Sequence, residues 1–208
     1  MNKMIVIKEH SKVLFQGDSV TDCHRNRVDI TSMGDSYVKT MHEYLRPFNI
    51  QVINKGIAGN KVNDLLDRYE SDIKGLYPDC IFILIGVNDT WHNYPKQKDT
   101  KQFEEEYELL IVKIINDLKI LPILLEPFII GYNKKITCMR EDLNKKIEAI
   151  KRLANKYQLE YISFKEEFDS ILTEENYLDY TIEGIHLLDK GYEIISNKLI
   201  SSIKIERL

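Results

Sequence analysis

The sequence predicts an α/β fold, a three-layer α/β/α sandwich built on a central five-stranded parallel sheet. The first observation behind this prediction is that five short apolar runs alternate with longer amphipathic segments along the 208 residues. The second is that residues 80–85 are apolar without interruption, as expected of a strand that is covered on both faces. The third is that the chain has no repeat, low-complexity segment or linker, so we expect residues 1–208 to form one domain.

Each predicted element rests on the spacing of its hydrophobic residues. The first strand, residues 11–16, ends at Gly17, where the missing side chain permits a sharp turn out of the sheet. The helix at about 100–119 has the clearest pattern, because Asp99 or Thr100 can cap it and its apolar residues recur at helical spacing. The other predicted strands are residues 51–54, 80–85, 120–125 and 159–162, and the other predicted helices are about 34–46, 61–73, 139–157 and 188–204.

The charge balance is slightly acidic, with 33 acidic against 29 basic residues and a formal net charge of −4. Such a balance gives no sign of a nucleic-acid partner or of an anionic membrane surface. The apolar run near the start is too short for a signal-peptide core, and no segment is long enough to span a bilayer. Cys23, Cys80 and Cys138 are odd in number and lack metal-like spacing, which indicates reduced thiols and a cytoplasmic protein.

A serine follows the first predicted strand at its carboxyl end, the edge at which open α/β sheets bind ligands. Ser19 needs a base to take its proton and donors to hold an oxyanion if it is to act as a nucleophile. Among five histidines, His186 has an acid, Glu183, three residues before it, and a turn would let that acid accept a proton from the ring. The remaining histidines are His10 and His42, which we interpret as solvated or structural, and His24 and His92, which lie in loops.

Oxyanion donors are expected at the ends of the neighbouring strands. Residues 56–60 form a glycine turn after the second strand, whose backbone N–H groups would point at the carboxyl edge. Asn88 follows the third strand and offers a side-chain amide at the same edge. Taken singly, the first motif is an ordinary tight turn and the second an ordinary helix cap.

Four motifs in a fixed order change that interpretation: Gly17-Asp18-Ser19, then Gly59, then Asn88, then His186. This set resembles the SGNH hydrolases, also called the GDSL esterase/lipase family, and the resemblance covers roughly residues 11–204. Residues 15–22 and 85–92 look like the branch that contains bacterial carbohydrate esterases and acetyl esterases.

The resemblance implies a role for each matching position. Ser19 is the nucleophile and His186 the general base, while the backbone N–H groups of Ser19 and Gly59 and the side chain of Asn88 form the oxyanion hole. Glu183 stands where the family normally has the triad aspartate, which is a departure that keeps the charge. The mechanism implied requires no metal and no cofactor.

The resemblance also implies a serine esterase that removes short acyl groups, acetyl first among them, from a carbohydrate or other small alcohol through an acyl-serine. Asp18, Trp91 and His92 are candidate substrate-binding residues, although Asp18 is better placed for hydrogen bonding behind the serine, and Trp91 and His92 suit loop packing equally well. The partner is then a small-molecule ester, and the oligomeric state, homodimer included, stays open.

Alternatives are a lysophospholipase or thioesterase of the same family and a catalytically impaired binding protein. A flavodoxin-like nucleotide-binding protein would fit the alternation of strands and helices, but the sequence has no phosphate-binding loop of the kind such a protein needs.

Overall fold

The computed structural model describes residues 4–92, 96 and 98–207. Within them, five parallel strands form one sheet in the order β3-β2-β4-β5-β6, with helices on both faces. The predicted three-layer sandwich and its five-stranded parallel sheet are therefore confirmed. The strands are β1 Ile5–Lys8, β2 Lys12–Gly17, β3 Gln51–Gly56, β4 Cys80–Leu84, β5 Ile123–Leu125, β6 Tyr161–Ile162 and β7 Ile203–Glu206.

The helices divide between the two faces according to their apolar stripes. One face is covered by α2, α8 and α9, the other by α3 and α6, and the long α7 contributes to both. The helices are α1 Ser19–Asp22, α2 Tyr37–Leu45, α3 Val62–Asp67, α4 Tyr69–Asp72, α5 Val87–Trp91, α6 Thr100–Leu118, α7 Lys134–Tyr157, α8 Lys165–Ile171 and α9 Asp189–Ser202. None of those in the described ranges is long and apolar enough to cross a membrane.

The alternation of side chains in the central strands creates two hydrophobic cores. Leu14 and Phe15 are adjacent in β2 and both fully buried, yet they belong to opposite cores because successive side chains point to opposite faces. Phe15 stacks on Phe82 of β4, with ring centroids 4.9 Å apart. The central strands are consequently apolar on both sides, which is why β4 appears in the sequence as an unbroken apolar run.

Several predicted boundaries were wrong, each for a local reason. The helix expected over 61–73 is two helices, α3 and α4, because Arg68 between them leaves the helical region (φ −101°, ψ 15°). The strand expected from residue 120 begins only at Ile123, directly after Pro122, which has no N–H for the ladder. Helix α7 begins five residues earlier than expected, because Asn133 caps it by accepting from the N–H of Ile136 at 2.9 Å.

A second, two-stranded sheet joins the two ends of the chain and was not predicted. Strand β1 pairs in parallel with β7, which follows α9 directly. Ile5, Ile7 and Ile203 of this sheet are buried, so it adds to the core on the α2 and α9 side.

The register of the central sheet brings three strand ends together. Gly17 at the end of β2 pairs with Gly56 of β3 on one side and with Leu84 of β4 on the other. Residues that follow these strands, Ser19 and Asn88 among them, therefore start from neighbouring points on one edge.

Candidate active site

Ser19, His186 and Glu183 lie in hydrogen-bond sequence at the carboxyl edge of the sheet. The Ser19 Oγ is 2.9 Å from Nε2 of His186, although 167 residues separate them in the chain. The other ring nitrogen, Nδ1, contacts Oε1 of Glu183. The side chains of His186 and Glu183 are 47% and 32% exposed, so a small molecule can reach the serine–histidine pair from solvent.

The loop that carries His186 is fixed by its own hydrogen bonds and by a neighbouring loop. The hydroxyl of Thr181 accepts from the N–H of Gly184 at 2.9 Å and donates to the carbonyl of His186 at 2.8 Å. Gly184 has a φ of +106°, and a Cβ there would lie 2.4 Å from the carbonyl oxygen of Ile130, so only glycine fits. The N–H of Ile130 also donates to the carbonyl of Gly184 at 2.8 Å. The turn therefore keeps His186 facing Ser19.

Ser19 is presented by a very short helix at the end of β2. Asp18 caps this helix, α1, by accepting from the N–H of Val20 at 3.0 Å. A Cβ at Gly17 would lie 2.3 Å from the hydroxyl oxygen of Thr21, so the chain can turn from strand to helix here only with glycine. The backbone N–H of Ser19 thus lies at the start of a helix, which is a favourable place for developing negative charge.

The loop after β3 supplies the second predicted donor. Gly59 has a φ of +84°, and the N–H of Ala58 just before it donates to Oδ2 of Asp22 at 2.9 Å. This bond ties the Gly59 loop to the helix that carries Ser19. Asn88, on α5, donates from Nδ2 to the carbonyl of Asn60 at 3.0 Å, which leaves the second amide proton of Asn88 for another acceptor.

Asp22, Arg25 and Arg27 form a cluster behind these donors. Arg25 is buried and donates to the carbonyl of Gly56 at 2.9 Å, while Arg27 pairs with Asp22 at 2.5 Å. Burial and the neighbouring Arg27 charge both lower the pKa of Arg25, and the Asp22 charge opposes them. The guanidinium of Arg25 is thus bonded to a buried backbone carbonyl rather than to solvent.

Asp18 is only 1% exposed, so the expectation that it contacts substrate is corrected. Its carboxyl faces the N–H of Val20 and the interior. Its pKa is raised to about 7, chiefly by burial and also by the nearby Asp89 charge, while the Val20 hydrogen bond acts in the opposite direction. Asp18 is therefore part of the support behind Ser19.

The helix that carries Asn88 is anchored by the residues after it. Asp89 accepts from the N–H of Val62 at 3.3 Å and pairs with Lys98 at 3.0 Å. Burial raises the pKa of Asp89 despite the opposing charge of Lys98. The hydroxyl of Thr90 donates to Asp142 of α7 at 2.6 Å. Helix α5 is thereby held from both sides.

Trp91 and His92 lie on the same side as the donors, but in different surroundings. Trp91 is partly buried, packs against the core, and has the ammonium of Lys135 4.9 Å from its ring centroid. His92 is exposed, and its Cε1 would be 3.6 Å from a Cβ placed at Gly59. His92 therefore borders the Gly59 loop, and residues 93–95 and 97, which follow it, lie outside the described residues.

Two functional features escaped sequence reasoning. Arg68 reaches the carbonyl of Gly17 and the side chain of Asn60, and Asp22 holds Ala58. The only local signal for Arg68 is an Asp72 four residues later, a spacing that is common on exposed helices. As for metals, no cluster of three or more His, Cys, Asp or Glu side chains suited to hold an ion occurs among the described residues.

Known proteins share both the sequence pattern and the fold. An acetylxylan esterase from Geobacillus stearothermophilus is 30% identical to this chain, with 94% of each chain covered. The crystal structure of Axe2, an acetylxylan esterase from that organism, has a TM-score of 0.83 at 28% identity and covers 96% of this chain and 97% of its own. An α/β hydrolase enzyme from the metagenome of Lake Arreo, Spain, is alike in fold, with a TM-score of 0.84 at 24% identity and coverage of 94% and 96%.

Crystal structures also exist for catalytic mutants of Axe2, in which a serine, an aspartate or a histidine is replaced by alanine. The replaced aspartate and histidine are three positions apart in Axe2, the same separation as Glu183 and His186. The GDSL-like lipase/acylhydrolase family model matches residues 15–194, which include the serine, both further donors and the histidine. The chain therefore belongs to the GDSL-like lipase/acylhydrolase family and is a carboxylic ester hydrolase.

Proposed function

We propose that this protein is a serine esterase that removes acetyl groups from a carbohydrate, with Ser19 as nucleophile, His186 as general base and Glu183 as the acid of the triad. The observation that carries the proposal is the continuous sequence of contacts from Ser19 Oγ to Nε2 of His186 and from Nδ1 to Glu183. A serine in this setting has a base for its proton and an acid that orients the base.

In the first half of the reaction, Ser19 Oγ attacks the ester carbonyl while Nε2 of His186 takes the hydroxyl proton. The oxyanion of the tetrahedral intermediate accepts from the N–H groups of Ser19 and Gly59 and from Nδ2 of Asn88. When the intermediate collapses, the carbon–oxygen bond to the alcohol breaks and His186 returns the proton to that oxygen. The products are a free alcohol and an acyl-Ser19.

In the second half, water attacks the acyl-Ser19 and gives its proton to His186. The same three donors hold the second oxyanion, and its collapse releases the carboxylic acid and restores the Ser19 hydroxyl. Glu183 accepts from Nδ1 throughout, which fixes the tautomer that leaves Nε2 free and stabilises the imidazolium. The extra methylene of Glu183 relative to an aspartate is accommodated, because its carboxylate reaches Nδ1 directly.

Support for an acetylated carbohydrate as substrate comes from the acetylxylan esterase of Geobacillus stearothermophilus, which is alike over 94% of both chains. A lysophospholipase or thioesterase would be expected to bury a long acyl chain, so chain-length preference separates these alternatives. A catalytically impaired binding protein has less support, since the departure at Glu183 leaves its contact with His186 intact. The cytoplasmic location remains part of the proposal and rests on the unpaired cysteines.

The proposal is tested by measuring acid release from nitrophenyl esters of increasing chain length and from acetylated xylo-oligosaccharides. We expect kcat/KM to be highest for the acetyl ester and acetate to be released from the oligosaccharide. The Ser19→Ala protein is the control and should lose both activities. A clear preference for chains of eight carbons or more would contradict the acetyl assignment, and full activity of the Ser19→Ala protein would contradict the mechanism.

A further inference from the structure

Arg68 lies at the junction between α3 and α4, beneath the three predicted oxyanion donors. It is the residue at which the helical path is interrupted. Its side chain extends to the ends of β2 and β3. That side chain is only 13% exposed, and burial lowers its pKa against the opposing effect of Asp72. A buried guanidinium needs acceptors for its five N–H groups, and Arg68 finds them in Gly17, Lys55, Asn60 and Asp72.

The guanidinium donates to both strand ends that lead into the site. Its Nη2 is 3.3 Å from the carbonyl oxygen of Gly17, two residues before Ser19. Its Nη1 is 2.8 Å from the carbonyl oxygen of Lys55, four residues before Gly59. One planar group thereby sets the separation of the two backbone segments that carry the first two donors.

The third donor is connected through Asn60. The Nε of Arg68 donates to the side-chain oxygen of Asn60 at 2.9 Å, and the backbone oxygen of Asn60 accepts from Nδ2 of Asn88 at 3.0 Å. Asn60 therefore transmits the position of Arg68 to the amide of Asn88. The segments that carry all three donors are therefore connected to one guanidinium.

Asp72 fixes the orientation of that guanidinium. Its Oδ2 accepts from Nη1 of Arg68 at 3.1 Å, and its Oδ1 pairs with Lys55 Nζ at 3.1 Å. The backbone carbonyl of Asp72 also accepts from the side chain of Gln16 in β2 at 2.7 Å. A lysine at position 68 could keep the charge interaction with Asp72, but a point charge cannot span three acceptors in a fixed plane.

We infer that Arg68 is a positioning residue for the oxyanion hole, setting the distances among the Ser19 N–H, the Gly59 N–H and the Asn88 amide. This inference rests on the proposed function, since the donors matter only if an oxyanion forms at Ser19. Arg68 itself touches neither substrate nor the reacting atoms. Its effect is therefore expected in the chemical step rather than in substrate binding.

The first test compares Arg68→Met and Arg68→Lys with Arg152→Met, a matched control in which an exposed arginine on α7 loses its pair with Glu104. For both Arg68 variants we expect kcat on nitrophenyl acetate to fall on the order of 10²-fold, with KM within about threefold, since misplacing such groups by about 1 Å has this cost. Arg152→Met should keep kcat. Rates are divided by the fraction of Ser19 that a fluorophosphonate titrates, so loss of folded protein does not count.

The second test is a double-mutant comparison, and its expected result would not follow if Arg68 only stabilised the fold. Asn88→Ala alone is expected to lower kcat by about 10²–10³. In the Asn88→Ala background, Arg68→Lys should lower kcat by a smaller factor than it does in the parent, because the part of its effect that passes through Asn60 to the Asn88 amide is already lost. The inference would be overturned if the fall in kcat of the double variant equalled the product of the two single falls. It would also be overturned if kcat of Arg68→Lys lay within twofold of the parent value.

A third measurement does not depend on activity. Amide hydrogen exchange of residues 55–61 should be faster in Arg68→Lys than in Arg152→Met at equal global stability, and unchanged exchange would count against the inference. If the parent protein hydrolyses no ester, the proposed function fails while the exchange result still decides whether Arg68 fixes this loop. If the parent is active and the Arg68 variants match it, only the inference about Arg68 fails.

Discussion

At position 183 a glutamate, rather than an aspartate, contacts the ring of His186. Its Oε1 meets Nδ1 and is also 3.4 Å from the backbone N–H of His186. The backbone of the loop is therefore placed for the longer side chain. A shorter acid at this position would stop about 1.5 Å away, the length of one carbon–carbon bond.

This geometry predicts the effects of substitution at Glu183. Glu183→Ala should lower kcat on nitrophenyl acetate by about 10²–10⁴, because the ring loses the group that fixes its tautomer. Glu183→Asp should lower kcat by roughly 5- to 100-fold, because the carboxylate no longer reaches Nδ1 without movement of the loop. Steady-state kinetics check both values. An Ala variant within threefold of the parent would remove Glu183 from the triad, and a faster Asp variant would mean that the glutamate is a poor fit.

Asp18 gives a second prediction, in this case for stability. Its folded pKa is about 7 because it is buried, whereas an unfolded aspartate has a pKa near 3.8. Between these values the unfolded chain loses its proton and the folded chain keeps it. The contribution of Asp18 to the free energy of unfolding therefore falls as pH rises from about 4 to about 7, by an amount on the order of a few kcal/mol.

Asp18→Asn tests this expectation, because the asparagine side chain does not ionise and its oxygen can still accept from Val20. The difference in the free energy of unfolding, variant minus parent, should be more positive at pH 8 than at pH 5. Urea denaturation at several pH values measures it. The same difference at pH 5 and pH 8 would mean that the Asp18 carboxyl titrates normally in the folded protein.

Among the elements, the loop between β3 and α3 is the one most constrained by the site. It runs from Gly56 to Asn60, is held by Asp22, Arg25 and Arg68, and turns at Gly59 with a φ of +84°. A Cβ at Gly59 would be in ordinary contact with His92, so space alone does not require glycine. The backbone conformation does, since an alanine in this region costs about 1–2 kcal/mol.

Gly59→Ala should therefore shift the loop and lower kcat by roughly 10- to 100-fold with a small loss of stability. Asn49→Ala is a matched control, because Asn49 also has a positive φ, +55°. It lies just before β3 begins, at the opposite end of that strand from the site. It should lose similar stability and keep kcat. Equal kcat values for the two variants would show that the Gly59 N–H does not hold the oxyanion.

At this scale the sequence predicts elements well where periodicity is long and poorly where it is short. The stripe of α6 and the apolar run of β4 identify those elements from local spacing alone. Helix α5 has only five residues after Gly86, too few for a period, so it is not among the predicted helices. Strand β7 carries alternating Ile203 and Ile205, but it follows α9 without a break, so the helical pattern concealed it.

The candidate site also contains some residues that the sequence predicts and others that it does not. Ser19, Gly59, Asn88 and His186 could be predicted as candidate site residues because each lies in a recognisable motif. Arg68 could not, because the sequence places it on the polar face of the helix predicted over 61–73, and its partner Gly17 is 51 residues away. Only the register of the sheet brings these segments together.

Across the whole molecule, the pairing of β1 with β7 connects the two ends outside the central sheet. We propose that the chain acts as a single domain, since the core beside this pair also contains residues of β2, β4 and α9. Ile7 in β1 is 1% exposed, whereas its neighbour Val6 is 54% exposed. The pair thus offers a test of stability that leaves the site untouched.

Ile7→Ala should lower the free energy of unfolding by about 2–4 kcal/mol, because it leaves a cavity in the core. Val6→Ala, the control on the same strand, should change it by less than about 0.5 kcal/mol. Both proteins should keep the parent kcat per titrated Ser19 at temperatures where they are folded. A fall in kcat for Ile7→Ala under those conditions would mean that the terminal sheet supports the site directly.

The activation of Ser19 by His186 is tested most simply by reacting the protein with a fluorophosphonate and locating the adduct by peptide mass spectrometry. We expect a single adduct on Ser19 that forms quickly in the parent, slowly in His186→Ala and not in Ser19→Ala. An adduct on another serine, or equal labelling rates for the parent and His186→Ala, would contradict the claim that His186 activates Ser19.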